Sequence, residues 1–122
     1  MRVRIEHNMI GNPANEQRKL LRNYGILIMH TPKYNQGSPL RSLLRDDILV
    51  GIAPDGTINP FWDMMMITSQ QTSPDENITR EQAVIAYTKT NAYAEFKEKL
   101  PVTRSLLTMI DGKIVYRSMD ME

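Results

Sequence analysis

Short apolar runs alternate with amphipathic stretches along this chain, and turn-forming residues separate most of them. Val3 and Ile5 alternate with Arg4 and Glu6, and His7 keeps their phase, which predicts a short strand with a histidine as its last inward residue. Asn12-Pro13 opens a helix carrying Leu20, Leu21 and Tyr24, and Gly25 supplies its stop. Ile26-Leu27-Ile28-Met29 follows, an apolar run of the kind buried on both faces, and it ends at His30. After a polar loop over 31–37, Ser38-Pro39 caps a short helix with Leu40, Leu43 and Leu44, whose basic side carries Arg41 and Arg45. Ile48 to Ala53 is the third run, and it stops at Pro54-Asp55-Gly56. Asn59-Pro60 then pairs a side-chain cap with proline at the first helical position of a helix over 59–70.

Strand and helix thus alternate three times, which implies parallel strands joined by right-handed crossovers. Beyond a turn-rich loop over 71–77, Thr79 and Gln82 form a capping box for a helix reaching about Phe96, with Ala83, Tyr87 and Ala94 on its inner side. From Leu106 the texture changes. Two apolar runs, 106–110 and 113–116, flank Asp111-Gly112 and read as a β-hairpin with a two-residue turn. A lone hairpin is marginal in water, so this one calls for a partner sheet. The predicted division is 1–99 for the βα units with the following helix, and 100–122 for the hairpin. The tail from Arg117 to Glu122 is expected to fray.

Composition narrows the function classes. The 122 residues suffice for a real core but fall short of the roughly 250 of an enzyme barrel. The chain has no cysteine, so disulfides and thiolate metal sites are excluded and a reducing compartment fits. A net charge of +1 leaves no footprint for nucleic acid or anionic lipid. No apolar run nears the ~18 residues of a membrane span. A cytoplasmic protein without nucleic-acid or membrane partners is expected. The run Met64-Met65-Met66 is explained by a helix facing a core, without a copper or cofactor site.

The candidate chemistry lies where the three strands end, at His7, His30 and Asp55. All three are predicted at the C-terminal rim of a parallel sheet, where α/β enzymes carry their working groups. Imidazole and carboxylate suit a divalent ion such as Zn²⁺, and a carboxylate beside a metal can take a proton from bound water. Each residue also has a plainer reading. His7 can be a hydrogen-bonded histidine at a strand end, His30 part of a His-Thr-Pro strand exit, and Asp55-Gly56 a simple turn. H-x-H, H-E-x-x-H, nucleophile-elbow, Walker and G-x-G-x-x-G motifs are all absent from the sequence.

An ordered set of motifs then bears on identity. R-I-E-H at Arg4 to His7, H-T-P at His30 to Pro32, and S-P-L-R-S-L-L at Ser38 to Leu44 come first. G-I-A-P-D-G at Gly51 to Gly56 and N-P-F at Asn59 to Phe61 follow. I-T-R-E-Q-A, A-Y-T and A-Y-A-E-F over Ile78 to Phe96, and a final D-G-K-I-V-Y, complete the set. Together they resemble the C-terminal part of amidohydrolase family 3, in the metal-dependent amidohydrolase superfamily of (β/α)₈ barrels.

The resemblance implies a fold and roles. His7 matches the histidine after the sixth barrel strand, a metal ligand. Asp55 matches the aspartate after the eighth, a metal ligand and the catalytic proton shuttle for the attacking water. His30 matches only a subgroup pattern, with a substrate-binding role. The implied cofactor is a divalent metal, with zinc foremost, and the implied substrate is a small amide-type molecule cleaved at a non-peptide C–N bond. Ala53 and Pro54 stand where many relatives have Gly and Ser. The family's N-terminal H-x-H, its bridging lysine or carboxylate, its fifth-strand histidine, and a G-x-L-x-x-G-x-x-A-D stretch near Lys99 have no counterparts.

The expectation is therefore an α/β fragment: a partial (β/α)₈ barrel of the last three βα units, plus a C-terminal β-hairpin from the family's small β-domain. Two ligands do not close a catalytic site that wants three or more, so the isolated chain is expected to be inactive. A different reading is a non-enzymatic barrel remnant that self-associates or docks to a missing N-terminal half. A third is that the chain is part of a longer enzyme. Three strands taken from a closed barrel leave open edges and an uncovered apolar face, so a homo-oligomer or partner half is expected.

Overall fold

The three apolar runs pair as parallel strands in chain order: β1 (Arg4–Ile5), β2 (Leu27–His30) and β3 (Val50–Ile52). Their register sets Ile5 beside Ile28 and His30 beside Ile52. The structure is a computed structural model and describes residues 3–8, 11–56, 59–96, 107–110 and 113–117. The helices are α1 (Asn15–Asn23), α2 (Leu40–Arg45), α3 (Pro60–Thr68), α4 (Arg80–Ile85) and α5 (Asn91–Phe96), with a π-helical turn, Ala86–Thr90, between the last two.

Two helices end in the same way. Gly25, at φ 60°, donates to the Arg22 carbonyl, and Ile26 donates to that of Leu21. Asp47, at φ 59°, donates to Leu44 O, and Ile48 donates to Leu43 O. Both are Schellman motifs, which turn the chain directly from helix into strand. No atom lies within 4 Å of a Cβ built on Gly25, so replacing it tests conformation alone. Gly25→Ala is expected to cost about 1 kcal/mol, read as a lowered urea midpoint at unchanged slope.

The helix starts were legible to different degrees. Asn59 Oδ1 accepts from the Trp62 amide at 3.1 Å, and Thr79 with Gln82 makes both bonds of the capping box, as predicted. Asn12-Pro13 does not open α1. The Asn12 side chain accepts from Arg18, whose guanidinium also meets Asp46 at 2.6 Å, and the helix begins three residues beyond Asn12. Nor does Ser38 cap α2 with its side chain, since its hydroxyl donates to Asn35 O. Glu76 arrives instead from a 3-10 turn, Pro74–Glu76, and accepts from the Ser42 amide at 2.8 Å. That places a carboxylate at the positive end of the helix.

Burial corrects the expected uncovered face. Every residue of β2 and β3 is buried. On one side Ile28, Val50 and Ile52 pack into a cluster with Leu40, Leu43, Ile67 and Ala83. The inner side of the last helical run also differs from prediction. Ala83 is buried, but Tyr87 and Ala94 are only half-buried, while Ala86, Thr90 and Ala92 go inside. The π turn explains this, because each i→i+5 bond advances the helical phase beyond the 3.6-residue period. In α1, Leu21 is buried whereas Leu20 and Tyr24 are exposed, and within the methionine run Met65 is exposed.

β4 (Leu107–Ile110) and β5 (Lys113–Arg117) form a separate antiparallel pair, with Ile110 opposite Lys113 and a register shift between Thr108 and Met109. The predicted turn at Asp111-Gly112, the 99/100 boundary and the tail beyond Arg117 lie outside the described residues. Among the described residues, no helix is long and apolar enough to cross a membrane.

Candidate active site

The three candidate residues all lie at the C-terminal ends of the parallel strands: His30 is the last residue of β2, and His7 and Asp55 come just after β1 and β3. His7 departs from expectation in one respect: it is not a strand residue. β1 ends at Ile5, and His7 lies in a 3-10 turn, Glu6–Asn8, with φ 60° and ψ 9°. Its ring is held from the exit of β2. Nδ1 lies 2.9 Å from Thr31 Oγ1, the Tyr34 ring approaches edge-on with centroids 6.5 Å apart, and the Asn35 side-chain amide donates to the His7 carbonyl. With Nδ1 engaged, Nε2 is the nitrogen left for chemistry.

The exit of β2 is also tied to that of β3. The Ala53 amide donates to His30 O at 2.9 Å, which fixes the backbone two residues before Asp55. Asp55 itself is exposed, at φ 45°, and makes no hydrogen bond or ion pair among the described residues. Among the described non-glycine residues only His7, Asp47 and Asp55 have positive φ. Asp47 belongs to a helix-stop motif, whereas the other two are the candidate donors. Sparsely populated backbone of this kind concentrates at working sites.

His30 is enclosed. The residue is 1 % exposed, and Nδ1 has no hydrogen-bond partner among the described residues. Burial pushes its pKa down to about 4, so the ring is neutral at physiological pH. A second unpartnered buried atom, Asp63 Oδ2, lies on α3, and burial pushes that carboxyl upward. Sequence reasoning treated 31–37 as a polar loop and passed over Thr31, Tyr34 and Asn35. The one available signal was Thr31 inside His-Thr-Pro, next to a candidate histidine.

The small parallel βα sheet thus carries imidazole and carboxylate groups at the C-terminal ends of its strands, the edge where α/β enzymes place their working groups. The amidohydrolase family matches residues 1–103, so the chain belongs to that family. The matched region stops short of β4 and β5. No curated protein and no solved structure matches the chain.

The superfamily generally uses divalent metals, and the donor chemistry here is compatible: an imidazole Nε2 and a carboxylate that make no hydrogen bond among the described residues. Among the described residues, no group of three His, Cys, Asp or Glu side chains converges to hold an ion.

Proposed function

We propose that this chain supplies one side of a metal-dependent hydrolase site acting on non-peptide carbon–nitrogen bonds of small amide-type substrates. The observation that carries the reading is the pairing of His7 and Asp55: both follow C-terminal strand ends of one parallel sheet, both have left-handed backbone, and both lie in a chain of the amidohydrolase family. His7 would serve as a ligand through Nε2, its ring steadied by Thr31 and Tyr34. Asp55 would be both ligand and proton shuttle, its carboxylate oxygen taking a proton from the attacking water and passing it to the leaving nitrogen. A divalent ion, zinc by resemblance, would supply Lewis-acid polarisation and a more acidic water. A catalytic metal site wants three or more protein ligands, so further donors would join His7 and Asp55 from another part of the barrel or from another chain. In this reading residues 1–99 are the last three βα units of a (β/α)₈ barrel with the helix that follows, 100–122 belong to a small β-domain, and His30 has a substrate-binding role.

A second reading is a non-enzymatic barrel remnant that self-associates or docks to a partner half, and it is supported by the finding that no three such donors converge among the described residues. Zinc titration followed by NMR bears on both. Expected are weak binding, no amide turnover, and shifts confined to His7, Asp55 and their neighbours, abolished in His7→Ala. Shifts indifferent to His7→Ala would remove the site and leave the remnant. Stoichiometric, tightly held zinc with measurable hydrolysis would show that the chain has more ligands than these two.

A further inference from the structure

β3 forms one edge of the three-stranded sheet. Its bonds to β2 use the Leu49 carbonyl and the Ala53 amide, so the N–H and C=O of Ile52 point to the outer side, as alternation in a parallel ladder requires. An unpaired edge is a template for strand addition. Here Ile52 is not unpaired. The Ile52 amide donates to Asn91 Oδ1 at 3.1 Å, and Asn91 Nδ2 donates to the Ile52 carbonyl at 2.7 Å. One side-chain amide offers the same acceptor and donor that a neighbouring backbone would offer.

We propose that Asn91 acts as a strand surrogate that closes the edge of β3 from within the chain. Three features support the assignment. Asn91 stands directly after the π turn, whose phase shift brings it round to the sheet. Gly51 makes the approach possible, since a Cβ there would lie 2.6 Å from Asn91 Oδ1. Finally, Ile52 is 1 % exposed, so its backbone groups have little access to water as an alternative partner. The arrangement is exclusive, because any strand pairing with Ile52 on that side has to displace Asn91. The inference stands independently of the metal reading.

Amide exchange by NMR and sedimentation over a dilution series, on wild type and Asn91→Ala, test it. In dilute Asn91→Ala, the Ile52 amide is expected to exchange at least about tenfold faster. The Ile28 and Ala53 amides, bonded within the sheet, should keep their protection. Self-association should tighten by at least about tenfold, with Ile52 protected again in the associated form. Unchanged exchange at Ile52, equal loss at Ile28 and Ala53, or unchanged association would overturn the proposal. Should Asn91→Ala fail to fold, Asn91→Asp keeps the acceptor and removes the donor. The Ile52 amide should then stay protected while its carbonyl carbon shifts, and an unmoved carbonyl overturns the assignment.

Discussion

Acidification from pH 7 to pH 4 is expected to cost the fold about 3 kcal/mol through His30 alone. Burial holds this ring near 4 in the folded chain, against its ordinary 6.5. Above pH 6.5 neither state carries the proton, so the group makes no pH-dependent contribution. Between 6.5 and 4 only the unfolded chain binds it, and stability therefore falls steadily as pH is lowered through that window. Below 4 both states bind it and the loss levels off. Urea midpoints at pH 7, 5.5 and 4 measure the effect, with His30→Leu as the control. Two other carboxyls titrate at the acid end: Asp46, held down by its hydrogen bond from Arg18, and Asp63, pushed up by burial. Their contributions have opposite sign and persist in the variant, so the difference between the two chains isolates His30. Parallel pH profiles for the two chains would show that the ring is solvated in solution.

Gly51→Ala is expected to destabilise the chain by about 2–3 kcal/mol, although a methyl group is the smallest addition possible. The new Cβ would meet Asn91 Oδ1 at 2.6 Å and the sulfur and terminal methyl of Met29 at 2.9 Å. The end of Met29 is flexible and can retreat, whereas Asn91 is held by its two bonds to Ile52. The cost should therefore divide. Met29→Ala should cost less in a Gly51→Ala chain than in wild type, because it also relieves the crowding. The share owed to Asn91 should remain and appear as lost protection of the Ile52 amide. A Gly51→Ala protein as stable as wild type would mean that residues 86–92 sit farther from β3 than the structure places them.

Much of the βα register was legible because it rests on local signals. Apolar runs of four to six residues, Asn59-Pro60 and the Thr79–Gln82 box each act within one turn of chain. The C-terminal placement of His7, His30 and Asp55 followed from strand direction alone. What escaped prediction depends on partners distant in sequence. Glu76 serves the start of α2 across 34 residues, and Asn12 is drawn off by Arg18, which is itself held by Asp46 from 28 residues away. Neither is visible to a reading that looks for caps next to the helix. The π turn was missed for another reason: Ala86-Tyr87-Thr88-Lys89-Thr90 contains no Gly or Pro to mark a break in the helix, and the turn packs against β3, a contact the local sequence does not reveal. His7 looked like the end of a strand because alternation is a two-residue signal that continues into a turn by chance. The site itself was legible only as residue types at one rim. That His7 is braced by Thr31, and that His30 is enclosed, depend on how the exit of β2 folds back over 31–35.

Asn91 lies 39 residues beyond the Ile52 groups it covers. On a ribosome adding roughly 5–20 residues per second, those positions emerge about 2 to 8 s apart. The first three strands can pair as soon as they are made, because each meets its predecessor in the chain. Throughout that interval the newly formed sheet has a bare margin with no internal substitute for a neighbour. The nascent chain is therefore most exposed to misassociation in that interval, after its three strands exist and before its own cover does. Conditions that slow elongation between Ile52 and Asn91 lengthen that window in direct proportion.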